Sequence, residues 1–201
     1  MAAVHCVLIG GLMGCAFGRF GAGEERINAE TALLLLLGLS AIWLGCNAAS
    51  KEIVGELAVF RRERDIRLST AAFIGTKYLV SGAFIVLQLA VVYGLVSLLA
   101  ERIPGSRVEQ FEPLTAGAMA GTAVGLLISA LANTPDQATT IVPLALVPQL
   151  ILAGVLVPKL PHLAERVAKV AVSGYWLTEA MESVFIAAAD RSGSSVRVPA
   201  L

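Results

Sequence analysis

The chain has 201 residues, of which 57% are hydrophobic and only 15% charged, and its mean hydropathy is +0.79. Such a composition excludes an ordinary soluble domain and points to an all-α integral membrane protein. Its 15 basic and 15 acidic side chains cancel, so no global field draws it to nucleic acid or to an acidic substrate.

Residues 1–18 carry no Lys, Arg, Asp or Glu, and they place Gly10, Gly14 and Gly18 four residues apart, the spacing that lets helix backbones approach closely in lipid. They predict a first span near residues 4–20. The rival reading is a signal peptide, with Leu12-Met13-Gly14-Cys15 loosely like a lipoprotein cleavage box. No Lys or Arg precedes the apolar region, which weighs against it. After a polar connection over residues 19–30, Thr31 to Ser50 runs uncharged for twenty residues, enough at about 1.5 Å per residue to cross ~30 Å of hydrocarbon. Residues 31–50 are therefore the second span. Asn47, near its end, reads as a helix-to-helix hydrogen bond or an interfacial position in preference to a substrate contact.

Lys51 to Arg67 then concentrates five basic residues (Lys51, Arg61, Arg62, Arg64, Arg67) and four acidic ones (Glu52, Glu56, Glu63, Asp65). Ile53, Leu57 and Phe60 recur at helical spacing, which predicts an amphipathic helix over 51–67. Each Lys or Arg at a bilayer centre costs roughly 2.5–3.5 kcal/mol, so burying all five would cost more than about 12 kcal/mol. The segment must lie outside the hydrocarbon. Taken alone, it is equally a solvated loop.

Tyr78 to Ala100 is uncharged and gives a third span over 70–100, with Lys77 placed to snorkel toward the same aqueous side as the arginines. Pro104-Gly105 marks the next turn. Pro113 to Pro135 is again uncharged, and Gly117, Gly121 and Gly125 fall on one face of a packed fourth span, 113–133. Of the two glycine faces, one would serve packing within the chain and leave the other for a partner. A polar break at Asp136 leads into a fifth span, 138–157, where Pro143 and Pro148 each remove a backbone hydrogen bond and predict a kink or local unwinding. Such a kink is as consistent with a plain structural bend as with a pathway lining.

From Lys159 onward Leu163, Val167, Val170, Leu177, Met181 and Val184 keep helical spacing among charged residues, and the uncharged run Val170 to Thr178 is too short to span. Residues 159–189 are expected to form an outer re-entrant or interfacial helical region. A membrane domain over 1–190 and a flexible tail over 191–201 follow. The loop between spans two and three has five basic residues and those after spans one and three have two each, so the positive-inside rule puts Lys51 to Arg67 and the N-terminus in the cytosol. The segment after Pro158 then faces outside.

Little catalytic chemistry is present. Cys6, Cys15 and Cys46 sit in apolar runs with no CxxC pair, and His5 and His162 stand far from any ligand spacing, so neither a metal site nor a disulfide is expected. Gly75-Thr76-Lys77 lacks the glycine frame of a phosphate-binding loop, and no nucleophile with its base can be found. The chain is therefore read as no ATPase and as holding no cofactor. Apart from His5 the uncharged runs that make up the spans carry no ionisable Asp, Glu, Lys, Arg or His, which argues against a proton- or ion-coupled carrier. Energy must come from elsewhere, or none is used.

Asn47, Glu52-Ile53-Val54, Glu56, Phe60, Arg62-Glu63-Arg64 and Lys77 resemble the segment after the second span of ABC-2 type transmembrane domains, in particular the G-subfamily-like exporters. The resemblance runs from about residue 31 to 185 and includes the polar break Asn133 to Gln137 before a proline-containing span. Gly55 stands where a basic residue is expected, Phe60 where Tyr is common, and Arg67 is extra. The resemblance implies that 51–67 is a coupling helix on which Glu52, Glu56, Phe60, Arg62, Glu63 and Arg64 meet an ATP-binding cassette domain or subunit. Phe60 would enter a cleft of that partner, held by charged hydrogen bonds from Glu56 and the arginines. ATP and Mg would be used by the partner, and a second transmembrane unit would complete a homo- or heterodimer in the lipid of the cell (plasma) membrane. The cargo would be hydrophobic or amphipathic. Similar proteins have a sixth span after the outer region, so the resemblance also implies a fragment or a short form. The residues alone leave open a second reading, a non-transporting membrane scaffold or assembly protein whose charged loop docks a cytosolic partner, and beyond it a passive channel or an unrelated carrier.

Overall fold

Backbone groups in hydrocarbon find no water to pair with, so a chain this apolar closes its hydrogen bonds within helices. The computed structural model describes residues 2–17, 24–64, 69–100, 106–152 and 172–191, with 162, 166, 168 and 169, and all the regular structure among them is helical. The elements are α1 (Ala2–Ala16), α2 (Glu24–Ala49), a 3-10 turn (Val54–Glu56), α3 (Leu57–Arg64), α4 (Thr70–Leu99), α5 (Arg107–Leu131), α6 (Pro135–Leu152) and α7 (Ser173–Arg191). By length and composition, three stretches among the described residues can cross a membrane: Ala32–Arg62, Thr70–Leu99 and Arg107–Leu131. The chain is an all-α membrane protein. α1, with 15 residues, and α6, with 18, are described over shorter lengths than the spans expected there.

Two helix starts explain where the sequence reading misplaced boundaries. α5 begins six residues before Pro113 because the Ser106 hydroxyl accepts from the Glu109 amide at 3.3 Å, capping a first turn that carries Arg107 and Glu109. Charge marked those residues as loop, yet they continue the helix. α6 opens at Pro135 with a reciprocal cap, in which the Gln137 amide donates to Thr134 Oγ1 and the Asn133 amide to Gln137 Oε1. Its backbone stays α-helical through Pro143 and Pro148, so the expected local unwinding is not found.

The core is set by close backbone approach. A methyl group added at Gly121 would collide with the carbonyl oxygen of Ile42, at Gly125 with that of Cys46, and at Gly45 with that of Ala118, so α2 and α5 touch main chain to main chain. Gly117, with Gly38, instead receives the side chain of Leu177 from α7. On α1, Gly10 faces Val92 and Leu95 of α4, and Gly14 faces Leu99. Both glycine faces are thus filled within the chain, which corrects the expectation that one was left for a partner. Gly18 lies outside the described residues.

Two groups of helices result. α1 rests on α4, while α5, α6 and α7 gather around α2, and α4 meets the second group along α5 and α2. At one end the α4–α5 contact carries a buried polar pair, the Tyr93 hydroxyl donating to Gln110 Oε1 at 2.7 Å. On the expected outer region, α7 buries Leu177 and Met181 and leaves Trp176 exposed, its indole donating to the Lys169 carbonyl at 2.8 Å. Leu163, Val167, Val170 and the tail beyond Arg191 lie outside the described residues. The opposite end, where α2 finishes, α4 starts and α5 finishes, holds the charged segment.

Candidate functional site: the turn between α2 and α4

Of the segment expected to be one helix over 51–67, residues 51–64 are a tight turn, a 3-10 turn and the short α3. The reason lies in α5. Ser129 Oγ accepts from the amides of both Ile53 and Val54 at 3.0 Å, groups that a continuous α-helix would give to the carbonyls four residues earlier. Ile53 and Val54 are themselves buried, Ile53 beside Ala49 and Leu126, which draws the turn onto the bundle. Short bonds complete it: the Gly55 amide to the Lys51 carbonyl, the Glu56 amide to the Ile53 carbonyl and the Ser50 hydroxyl to the Asn47 carbonyl. The Asn47 side chain is exposed. Asp65 and Arg67 lie outside the described residues.

Charge ties the same turn to α4. Lys77 Nζ stands 2.7 Å from Glu56 Oε1 and 3.1 Å from Glu52 Oε2, with 17% of its side chain exposed against 54% and 40% for the two carboxylates. Lys77, expected to snorkel toward the same side as the arginines, pairs there with the two glutamates. Pairs this exposed contribute at most about 1 kcal/mol each after solvent screening, so their importance is positional.

Phe60 adds an apolar tie. It is 8% exposed and its ring stacks on Phe73 of α4, centroids 4.4 Å apart and planes 26° from parallel. The ring implied for a partner's cleft is therefore turned into its own chain. α3 and the turn present outward Lys51, Val59, Arg61 and Arg62, with Glu56 also exposed beside its Lys77 partner. The side chains of Glu63 and Arg64 lie outside the described residues, although both belong to α3.

Of the residues singled out in the sequence, then, Glu52 and Glu56 come together on Lys77, Phe60 joins Phe73, and Arg62 stands apart in solvent. Ser129 and Phe73 were missed. A signal for Ser129 was present, since it follows Gly117, Gly121 and Gly125 at the same spacing of four and is the next small residue on the face that packs against α2. No group of three or more His, Cys, Asp or Glu able to hold a metal exists among the described residues. A crevice of about 20 Å³ between α2, α6 and α7, lined by Gly38, Ile42, Leu146, Gln149, Leu177 and Met181, has room for about one water. It is too small to hold a cargo molecule.

The ABC-2 type transporter family matches the chain over residues 1–185. The ABC transporter ATP-binding/permease protein Rv1747 of Mycobacterium tuberculosis is 28% identical over 138 residues, covering 65% of this chain and 16% of that protein. The chain thus aligns to less than a fifth of that relative's length. No solved structure matches.

Proposed function

The chain belongs to the ABC-2 type transporter family and supplies a transmembrane component, and from that premise we propose that it is the membrane part of an ATP-driven exporter of hydrophobic or amphipathic molecules. The nucleotide chemistry, with ATP and Mg, belongs to an ATP-binding cassette domain or subunit outside these residues. A second transmembrane unit, identical or not, encloses the pathway with this one in the cell membrane. The turn from Lys51 to Arg64 faces the cytosol and receives the partner.

One observation carries this reading: the turn is held at once by α2, by α4 through Lys77 and Phe73, and by α5 through Ser129. It sits where the two helix groups meet, so a displacement there is passed to both. Glu52 and Glu56, engaged by Lys77, hold the turn together, while Lys51, Arg61 and Arg62 offer a basic face to an acidic surface of the partner. The apolar bundle suits a cargo that need not be stripped of much water. The long uncharged runs of the spans, which hold no Asp, Glu, Lys or Arg, also leave ATP hydrolysis elsewhere as the energy source.

A photoreactive amino acid in place of Arg62 tests the docking. Irradiation of native membranes should join it to an ATP-binding cassette polypeptide, or to that part of its own polypeptide if the two are fused. Cross-links confined to lipid, or to a partner without nucleotide-binding activity, favour the scaffold.

A further inference from the structure

The two ties on the turn are unequal in kind. On the α4 side they are ion pairs whose carboxylates are 40% and 54% exposed, open to water and salt, beside the stack of Phe60 on Phe73, whose parting leaves no polar group unpaired. On the α5 side, two backbone amides converge on one hydroxyl that is 1% exposed, and Ile53 and Val54 are 6% and 8% exposed. Water can replace the partners of the first set as they separate. It cannot reach the second without prying α2 from α5, and those helices are in main-chain contact at Gly45, Gly121 and Gly125. Breaking that joint would strand two buried amides and one buried hydroxyl.

We infer that Ser129 is a positioning residue that locks the coupling turn to α5, so that α2, the turn and α5 travel as one body through the transport cycle while the yielding joint lies at Lys77 on α4. The inference rests on the proposed coupling role and adds where the movement is allowed to occur. A serine hydroxyl suits this place because it continues the small-residue face of Gly117, Gly121 and Gly125 and still brings an acceptor to the end of it. Neither glycine nor alanine supplies that acceptor.

Hydrogen exchange on the intact transporter, nucleotide-free and trapped with ATP and vanadate, tests this. The amides of Ile53 and Val54 should stay protected in both states, while protection in residues 57–64 changes between them. Loss of protection at Ile53 and Val54 in the trapped state, with α5 still protected, would place the moving joint at Ser129 and overturn the inference. If residues 57–64 show no nucleotide response, the coupling role itself fails and the inference falls with it, a result distinct from opening at Ser129. Ser129→Ala should speed exchange at both amides by roughly 10- to 100-fold. It should also abolish the nucleotide-dependent distance change between α1 and α6 while residues 110–126 remain protected, and Ser129→Thr, which keeps the hydroxyl, should restore it. A Ser129→Ala protein that responds to nucleotide like the wild type contradicts the inference. Should that variant fail to fold, the wild-type exchange pattern decides alone.

Discussion

Lys77 and Glu56 meet at 2.7 Å across the gap between α4 and the 3-10 turn, and Glu52 closes on the same ammonium at 3.1 Å. One cation thus holds two carboxylates four residues apart, and either can hold the turn when the other is lost. Glu52→Gln or Glu56→Gln alone should loosen residues 57–64 only slightly, and the double variant should match Lys77→Ala. Because both carboxylates are well exposed, each change should cost within about 1 kcal/mol of global stability. Exchange rates in 57–64 beside thermal melts in detergent check both halves. A single variant that loosened the segment as much as the double would contradict the shared role.

The glycines of α5 are not alike. Gly121→Ala sets a methyl against the Ile42 carbonyl, and a backbone atom cannot swing aside, so a loss of about 1–3 kcal/mol is expected. Gly94 of α4 has open space around it, and Gly94→Ala should be neutral or stabilising by about 0.5–1 kcal/mol through helix propensity. Parallel melts of the two variants would reveal the opposite signs. A destabilised Gly94→Ala with an unaffected Gly121→Ala would refute the main-chain contact.

Phe60 contributes through its stack on Phe73, a ring pair worth about 0.5–1.5 kcal/mol beyond burial. Phe60→Ala should free α3 to proteases while the bundle melts nearly as before, and Phe60→Tyr should behave as wild type. If Phe60→Ala left α3 equally protected yet abolished capture of the ATP-binding partner, the ring would belong to the partner and not to Phe73.

Arg61 and Arg62 are exposed at one end of the bundle and Val108 at the other. In a Cys15→Ser background, cysteines at Arg61 or Arg62 should react with membrane-impermeant thiol reagents from the cytosol alone, and a cysteine at Val108 from outside alone. Reversed labelling would invert the orientation.

How much of this was legible beforehand depends on how local each signal was. The helical runs, the glycine spacing and the charged break after Ser50 are local patterns in composition and periodicity, and they led to the helical membrane architecture and to the charged segment at one end of the bundle. The shape of that segment was not legible. Ile53, Leu57 and Phe60 fit helical spacing, but the hydroxyl that bends the chain belongs to Ser129, 76 residues beyond Ile53. Nor does any pattern within 51–67 say that Phe60 turns inward, because Phe73 lies in the next helix. Arg107 and Glu109 misled for the opposite reason: charge was read as loop where Ser106 had begun a helix.

The central claim is that ATP turnover drives the two helix groups relative to one another through this turn. Spin labels at Leu12 on α1 and Val147 on α6, both exposed and one in each group, report it directly in the intact, lipid-reconstituted transporter. The wild type should show a shift of a few ångströms in their separation on trapping with ATP and vanadate. Ser129→Ala should hydrolyse ATP yet lose most of that shift. An unchanged separation in the wild type, or a full shift in Ser129→Ala, would contradict the account.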